Sequence, residues 1–396
     1  MPPKDARSAL VLGIGAAQCD FVEALSERGW TVLACANSPR GPARPLVDQF
    51  EQIDIRDHEA LLKLCLTHKV ELVTSVGSDF AMVASSVLSE RLGLPHFVGA
   101  DVARRAHNKL SLRRWLTSVG LDDVAFREVR SEGDLAAWEP GPCVLKPADS
   151  QGQRGVHFVD SKEEVLAALP DSLSHSVTGS AILEQRLVGP EVSVHVVRQR
   201  GKTLFFQMTD RLTVPGHPGL VAGHRIPSNH ADHERATAGL VDKVLNVLGI
   251  FDGPAYAQVI ITEAGPRLVE VAPRLDGCHL WRLIHHHRGV NLIDLCLELQ
   301  LGEPVCLPLR ESSGDAASLR YHLSPPKVAF FPNRFARPVG AQGEVFFLED
   351  GAEVAPVNGR LEKVGYYIAP AIAETPSLKE TRGRHPSSEA ARMMSR

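Results

Sequence analysis

Glu270-Val271-Ala272-Pro273-Arg274 ends an apolar run, with one charged side chain inside the run and another just past the proline that stops it. Val269, Val271 and Ala272 give the stretch a strand-like composition. A carboxylate set into such a strand needs a partner, because an unpaired buried charge is costly. Upstream, residues 255–262 form a second apolar run, and Glu263-Ala264-Gly265-Pro266 between the two runs has the composition of a turn. The spacing predicts a β-hairpin in which Gln258 and Glu270, twelve residues apart, stand side by side on one face. Arg274 then falls just beyond the strand end. Two oxygen-bearing side chains suit a hard divalent cation, and the guanidinium suits an anion next to it. A surface hairpin with a charged edge is the plain alternative, and the apolar strand residues argue against it.

The surrounding chain has the make-up of a large soluble protein. Its 396 residues are 44% hydrophobic and 23% charged, enough for two or three packed units. A net charge of −4 gives no broad electrostatic reason to expect nucleic acid or an anionic membrane, so small-molecule partners are expected. Seven cysteines, at 19, 35, 65, 143, 278, 296 and 306, are scattered without a Cys-x-x-Cys pair, which predicts buried thiols rather than a disulfide frame or a zinc site. Neither a signal-like start nor a membrane-length apolar run is found, and a cytoplasmic location is expected.

Residues 8–100 alternate short apolar runs with amphipathic stretches, which predicts a parallel sheet with helices on both faces. Gly13-Ile14-Gly15 invites a dinucleotide-binding reading, but Gln18 stands where the third glycine belongs, so these glycines are read as a tight turn. A second unit starts near 101, with Asp101 as the expected N-cap of one helix running to about Val119 and ended by Gly120. A smaller turn-rich segment follows at about 123–183, and a β-rich region with many Gly and Pro at 311–375. Residues 376–396 read as a flexible tail.

Other residues with chemical potential fall in order along the chain. Lys146 ends an apolar strand, and the loop after it, containing Gln151, Gly152 and Gly155, would let backbone amides approach phosphate oxygens. Read alone, it is an ordinary hairpin turn. Together with the hairpin at 258–270 the set resembles the ATP-grasp superfamily over about residues 8–372. That resemblance implies an α/β chain with a Rossmann-like N-terminal domain at 1–100, a two-lobed α+β nucleotide clamp at 101–310 and a small β-rich C-terminal extension. It also implies roles: Lys109 and Lys146 on ATP phosphates, Gln151, Gly152 and Gly155 in the flap, and Glu184-Gln185-Arg186-Leu187 as the adenine hinge. Glu191 would hold the ribose, Gln258 and Glu270 would bind Mg²⁺, with Mn²⁺ as an allowed substitute, and Arg274 would stand beside the acyl phosphate. Two departures are visible. The first metal position is usually glutamate rather than Gln258, and Ala272 stands where asparagine is common.

Substrate identity is less fixed. Gly223-His224-Arg225-Ile226-Pro227 resembles a segment of amino-acid and dipeptide ligases, which makes His224 and Arg225 candidates for a carboxylate substrate, against a solvated loop. Gly277 and His279, followed by Arg282, are expected on the acceptor side because they continue from Arg274. His285-His286-His287 is rejected as a metal cluster, since successive helical side chains diverge by about 100°, and Cys278 is read as a packing residue. The resemblance implies an ADP-forming carboxylate–amine ligase acting through an acyl phosphate. A bicarbonate-using carboxylase and a non-catalytic nucleotide sensor are the alternatives, and a homodimer is expected from the frequency of dimers in this fold.

Overall fold

Ser8–Leu12 (β1) is buried along its whole length, as a strand covered on both faces must be. It pairs in parallel with β2 (Thr31–Cys35) and β4 (Leu72–Thr74), and β2 pairs with β3 (Gln49–Glu51), giving the order β3-β2-β1-β4. Helices α1 (Ala16–Glu27), α2 (His58–Thr67) and α3 (Asp79–Leu92) accompany this sheet. Strand order reverses between β1 and β4, so the loops after these strands flank a crevice of the kind in which such sheets hold ligands. Gln18 packs against Gly13 and Gly15 and donates to the Val76 carbonyl at 2.6 Å. The glycine turn therefore serves contact between the two loops. The computed structural model describes residues 7–371 except 137, 139–140, 306, 308–313 and 337; Cys306 and the tail expected at 376–396 lie outside the described residues.

The single helix expected from Asp101 to Val119 is two. Helix α4 (Ala100–His107) is capped by Gly99, and Asp101 is instead an exposed partner of Arg104 at 3.1 Å. Asn108 leaves helical geometry, and its side chain accepts from the Ser111 amide to start α5 (Lys109–Ser118). The break turns Lys109 into a first-turn residue whose amide donates to the Ala148 carbonyl at 2.7 Å.

Strands β5 (Phe126–Val129), β6 (Cys143–Pro147), β7 (His157–Val159) and β8 (Ala181–Gln185) form an antiparallel sheet ordered β5-β8-β6-β7, with α6 (Lys162–Ser174) packed on it. The larger sheet takes β9 (Glu191–Gln199), β10 (Lys202–Val214), β11 (His217–Ile226), β12 (Gly253–Thr262) and β13 (Gly265–Ala272). Strands β14 (Ala317–Ser324), β15 (Gln342–Phe346) and β16 (Glu362–Pro370) do not stand apart. They continue that sheet in the order β13-β12-β9-β10-β11-β14-β16-β15. Helix α7 (Glu234–Leu248) covers one face through Val241, Val244 and Leu245, packed with Val192, Val194 and Val196 of β9. Helices α8 (Leu280–Arg288) and α9 (Leu292–Leu301) join a separate core with α1.

Candidate active site

Strand alternation builds the site. The β9 residues that face α7 are valines, whereas Glu191, Ser193 and His195 point to the opposite face. Register carries this face across the sheet: Glu270 lies opposite Gln258, Gln258 opposite Ser193, and Tyr256 opposite His195. The expected juxtaposition of Gln258 and Glu270 is therefore present, on a hairpin whose turn is Glu263-Ala264. Gln258 Nε2 donates to Glu191 Oε2 at 2.7 Å. Only the amide nitrogen can donate to a carboxylate, so the Gln258 carbonyl oxygen is left to accept from, or ligate, another group. Glu270 makes no hydrogen bond or ion pair among the described residues, and Lys109, Arg211 and Arg274 are its cationic neighbours. One amide oxygen and one uncapped carboxylate fit a hard cation that draws its remaining ligands from phosphate and water. Among the described residues no group of three or more His, Cys, Asp or Glu is placed to bind a metal without such help.

Lys109 ties the start of α5 to the loop that follows β6. Its ammonium donates to the Ser150 carbonyl at 2.6 Å, at the root of the Gly-rich loop. Burial pulls its pKa below the ordinary value, against the opposing pull of Glu270 and Asp79. Lys146 donates to Glu184 Oε2 at 2.5 Å, and Arg113 donates to Glu184 Oε1 at 2.9 Å and to Asp122 at 2.6 Å. Burial alone would raise the Glu184 carboxyl, but Lys146 and Arg113 outweigh it and hold the group at about 2. The Glu184 side chain is thus a buried counter-ion for Lys146 and Arg113.

The residues that follow Glu184 are also tied. The amides of Gln185 and Arg186 donate to Ala125 and Pro142 carbonyls, and the Arg186 guanidinium pairs with Asp160 at 3.0 Å. Leu187 follows at the half-buried end of this segment. Glu191 meets Arg211 at 3.2 Å besides Gln258, and Arg211 donates to the Tyr256 hydroxyl at 2.9 Å. In the Gly-rich loop, Gly152 and Gly155 both have positive φ. A Cβ on Gly155 would lie 3.0 Å from Pro147 and 3.1 Å from Ser172, so close packing also requires that glycine. Gln151 accepts from the Asp79 amide at 2.8 Å, and Gln153 bonds to the Gly219 carbonyl.

Arg274 is held by Asp79, through Nε to Oδ1 at 2.7 Å and through Nη2 to the same oxygen. Asp79, Arg113, Arg211 and Tyr256 are the members that sequence reasoning missed. For Asp79 a signal existed: Ser78 caps α3 and Gly93 ends it.

The substrate candidates divide. His224 is fully buried on β11, opposite Arg211, so it belongs to the polar face rather than to a solvated loop. Neither ring nitrogen has a partner among the described residues, and burial, reinforced by Arg211, holds its pKa well below the ordinary value. Arg225 projects to the other face of β11, as adjacent strand residues must, and does not join His224 in a carboxylate clamp. Gly277 touches Gly77. His279 is buried and stacked at 5.2 Å on Phe347, beside Tyr366 and Trp281, in an aromatic cluster. Arg282 pairs with Asp20 at 2.6 Å. Cys278 is contacted by the Lys363 ammonium at 3.1 Å from its sulfur.

Known proteins resemble this arrangement at two levels. The ATP-grasp domain family matches residues 106–278. Carnosine synthase 1 from Mus musculus is 26% identical over 339 residues, covering 77% of this chain and 41% of its own length. The chain spans 41% to 58% of the lengths of the first curated relatives it matches. The crystal structure of L-amino acid ligase from Bacillus licheniformis superposes with a TM-score of 0.74 at 18% identity, covering 93% of this chain and 94% of that one. The biotin carboxylase domain of 2-oxoglutarate carboxylase from Hydrogenobacter thermophilus, solved with MgADP and bicarbonate, gives a TM-score of 0.71 at 16% identity over 92% of this chain and 86% of that one. At these identities the solved structures establish the fold. Among the described residues no helix is long and apolar enough to cross a membrane.

Proposed function

We propose that this chain, which carries an ATP-grasp domain, is an ATP- and magnesium-dependent carboxylate–amine ligase. In this reading ATP's γ-phosphoryl group passes to a substrate carboxylate, and an amine attacks the acyl phosphate to give an amide, ADP and phosphate. The observation that carries it is the register-paired Gln258 and Glu270, with Lys109 and Arg274 as cationic neighbours of Glu270. Lys109 and Lys146 are assigned to the phosphates, Gln151, Gly152 and Gly155 to the flap, Glu184 through Leu187 to the adenine edge, and Glu191 to the ribose. Glu270 and the free oxygen of Gln258 are assigned to Mg²⁺, which when bound neutralises charge on the phosphates. Arg274 is assigned to the transferring phosphoryl group, where a cation aimed at developing charge lowers the barrier.

Amino acids or short peptides are the proposed substrates. Two observations support this: the likeness to carnosine synthase 1, and unpartnered His224 on the same face as Arg211. The division into residues 1–100, 101–310 and 311–375 is proposed as an N-terminal domain, a clamp and a region that extends the clamp's larger sheet.

The test is ADP release by the purified chain on adding amino acids singly and in pairs, with and without bicarbonate. Pair-dependent ADP and amide formation is expected. Bicarbonate-dependent release would replace the ligase by a carboxylase, and nucleotide binding without turnover would leave a sensor. Arg274→Ala should keep ATP binding within about twofold and lower turnover about 10²- to 10³-fold; unchanged amide formation would remove Arg274 from the reaction.

A further inference from the structure

Every residue assigned above to nucleotide or metal comes from residues 101–310, yet one carboxylate of the N-terminal sheet reaches the same place. Asp79 is the first residue of α3, on the loop that leaves β4 at the strand-order reversal. Its Oδ1 takes Arg274 Nε at 2.7 Å and also Nη2, and the Leu275 carbonyl accepts from Nη1 at 3.1 Å. Three of the five guanidinium N–H groups are engaged in this way, and two are left for an anion. An arginine side chain is long and rich in rotamers, so the attitude of those two donors depends on what grips the rest.

A buried arginine paired with any carboxylate would merely be neutralised, but the surroundings of Asp79 go further. The Asp79 amide donates to Gln151 of the Gly-rich loop at 2.8 Å, so one residue joins that loop to Arg274. The Gly77 amide meets the Leu275 carbonyl at 3.3 Å, and a Cβ on Gly77 would lie 2.7 Å from the Gly277 Cα. The β4 loop and the segment after β13 are thereby locked at backbone level, which fixes where the Asp79 carboxylate stands.

We propose that Asp79 is a positioning residue for Arg274: it holds the guanidinium so that its two remaining donors receive the phosphoryl group in transfer. The proposal rests on the role given to Arg274 above. Asp79 itself touches neither nucleotide nor substrate in this account, and it acts only through the arginine.

The experiment needs neither the acid nor the amine. The full chain is titrated with MgADP alone and with MgADP plus aluminium fluoride, a mimic of the phosphoryl group in flight. The wild type should bind the second mixture more tightly. Asp79→Ala should lose about tenfold of that gain and Arg274→Ala about a hundredfold, with MgADP alone changed by less than about twofold in both. The double substitution should be no weaker than Arg274→Ala alone, since a positioning residue then has nothing to position. Asp79→Asn keeps the shape and one acceptor oxygen; it should show a smaller loss of the same kind, and it serves if the alanine variant does not fold. Additive losses, or a full gain in the Asp79 variants, would overturn the proposal. Fluoroaluminate adding nothing in the wild type would take Arg274 from the phosphoryl position and the proposal with it. Failure of the wild type to bind MgADP at all would instead sink the nucleotide reading.

Discussion

Gln258→Glu would supply a carboxylate at the first proposed metal position, yet the structure sets the new charge against Glu191. The Gln258 Nε2 lies 2.7 Å from Glu191 Oε2, and the substitution replaces that donor by an oxygen of nearly the same shape. Two unit charges at this separation repel by about 6 kcal/mol at an effective dielectric of about 20. Arg211, at 3.2 Å, already neutralises Glu191 and cannot neutralise a second acid. In metal-free protein the two acids should therefore share a proton, because 6 kcal/mol is about four pK units, an upper bound that Arg211 reduces. Magnesium must then displace the proton that the wild-type amide never holds. The assay is calorimetric titration of MgCl₂ into protein saturated with a non-hydrolysable ATP analogue, in two pH 7 buffers of different ionisation enthalpy. The variant should release about one more proton per metal than the wild type, and its magnesium affinity should rise by up to about tenfold per pH unit around neutrality. Equal proton release by the two proteins, with equal pH dependence, would refute the contact between the acids or the placement of the metal.

Glu184→Gln should be destabilising at neutral pH. The carboxyl is held at about 2 against an ordinary 4.5, which by linkage is about 3 kcal/mol of stability. Because the folded-state pKa is depressed, that stability is fully present above about 4.5 and fades as pH falls towards about 2. Urea unfolding of the two proteins should show a gap at pH 7 that closes in acid, and a gap constant with pH would contradict the network. Gly77→Ala combines a φ of +71° with a Cβ placed 2.7 Å from the Gly277 Cα, and should cost about 2–4 kcal/mol. An unchanged melting temperature would mean that the two loops are not locked together.

The hairpin was legible because it is local. Apolar alternation around a turn-rich segment predicts the two strands, but the pairing of Gln258 with Glu270 rather than Val269 depends on a β-bulge between Gln258 and Val259 that the spacing does not announce. The parallel N-terminal sheet was legible for the same reason, from the repeat of apolar runs and amphipathic stretches. Elsewhere local signals compete. Helical periodicity continues through Asn108, yet its side chain caps the next helix, and the cap wins because Lys109 gains the Ala148 carbonyl. Long-range pairing is a different matter. Nothing near β14 announces that it pairs with β11, and nothing near Asp79 announces Arg274, 195 residues away. The direction of Arg225 became readable only once β11 was known to be a strand, since in a loop it could have faced either way.

Charge bookkeeping around the site gives the departure at Gln258 a physical setting. With the Arg113–Asp122 pair set aside, Lys109, Lys146, Arg211 and Arg274 face Asp79, Glu184, Glu191 and Glu270, four cations against four carboxylates. Three of the cations are already matched: Lys146 by Glu184, Arg211 by Glu191 and Arg274 by Asp79. Lys109 makes its hydrogen bond to a carbonyl, and Glu270 has no ion-pair partner among the described residues. The pair left uncommitted is the one on which an anionic phosphate and a cation would act. A phosphate group arriving at Lys109 and a magnesium ion arriving at Glu270 would satisfy one charge each, without breaking the three existing pairs. A carboxylate at position 258 would add an unmatched negative charge beside Glu191 and leave the metal to compensate two acids before it met the nucleotide. With the amide, the metal's protein ligands would be fewer but its charge would remain for the phosphates, so that metal binding would depend on the nucleotide rather than precede it.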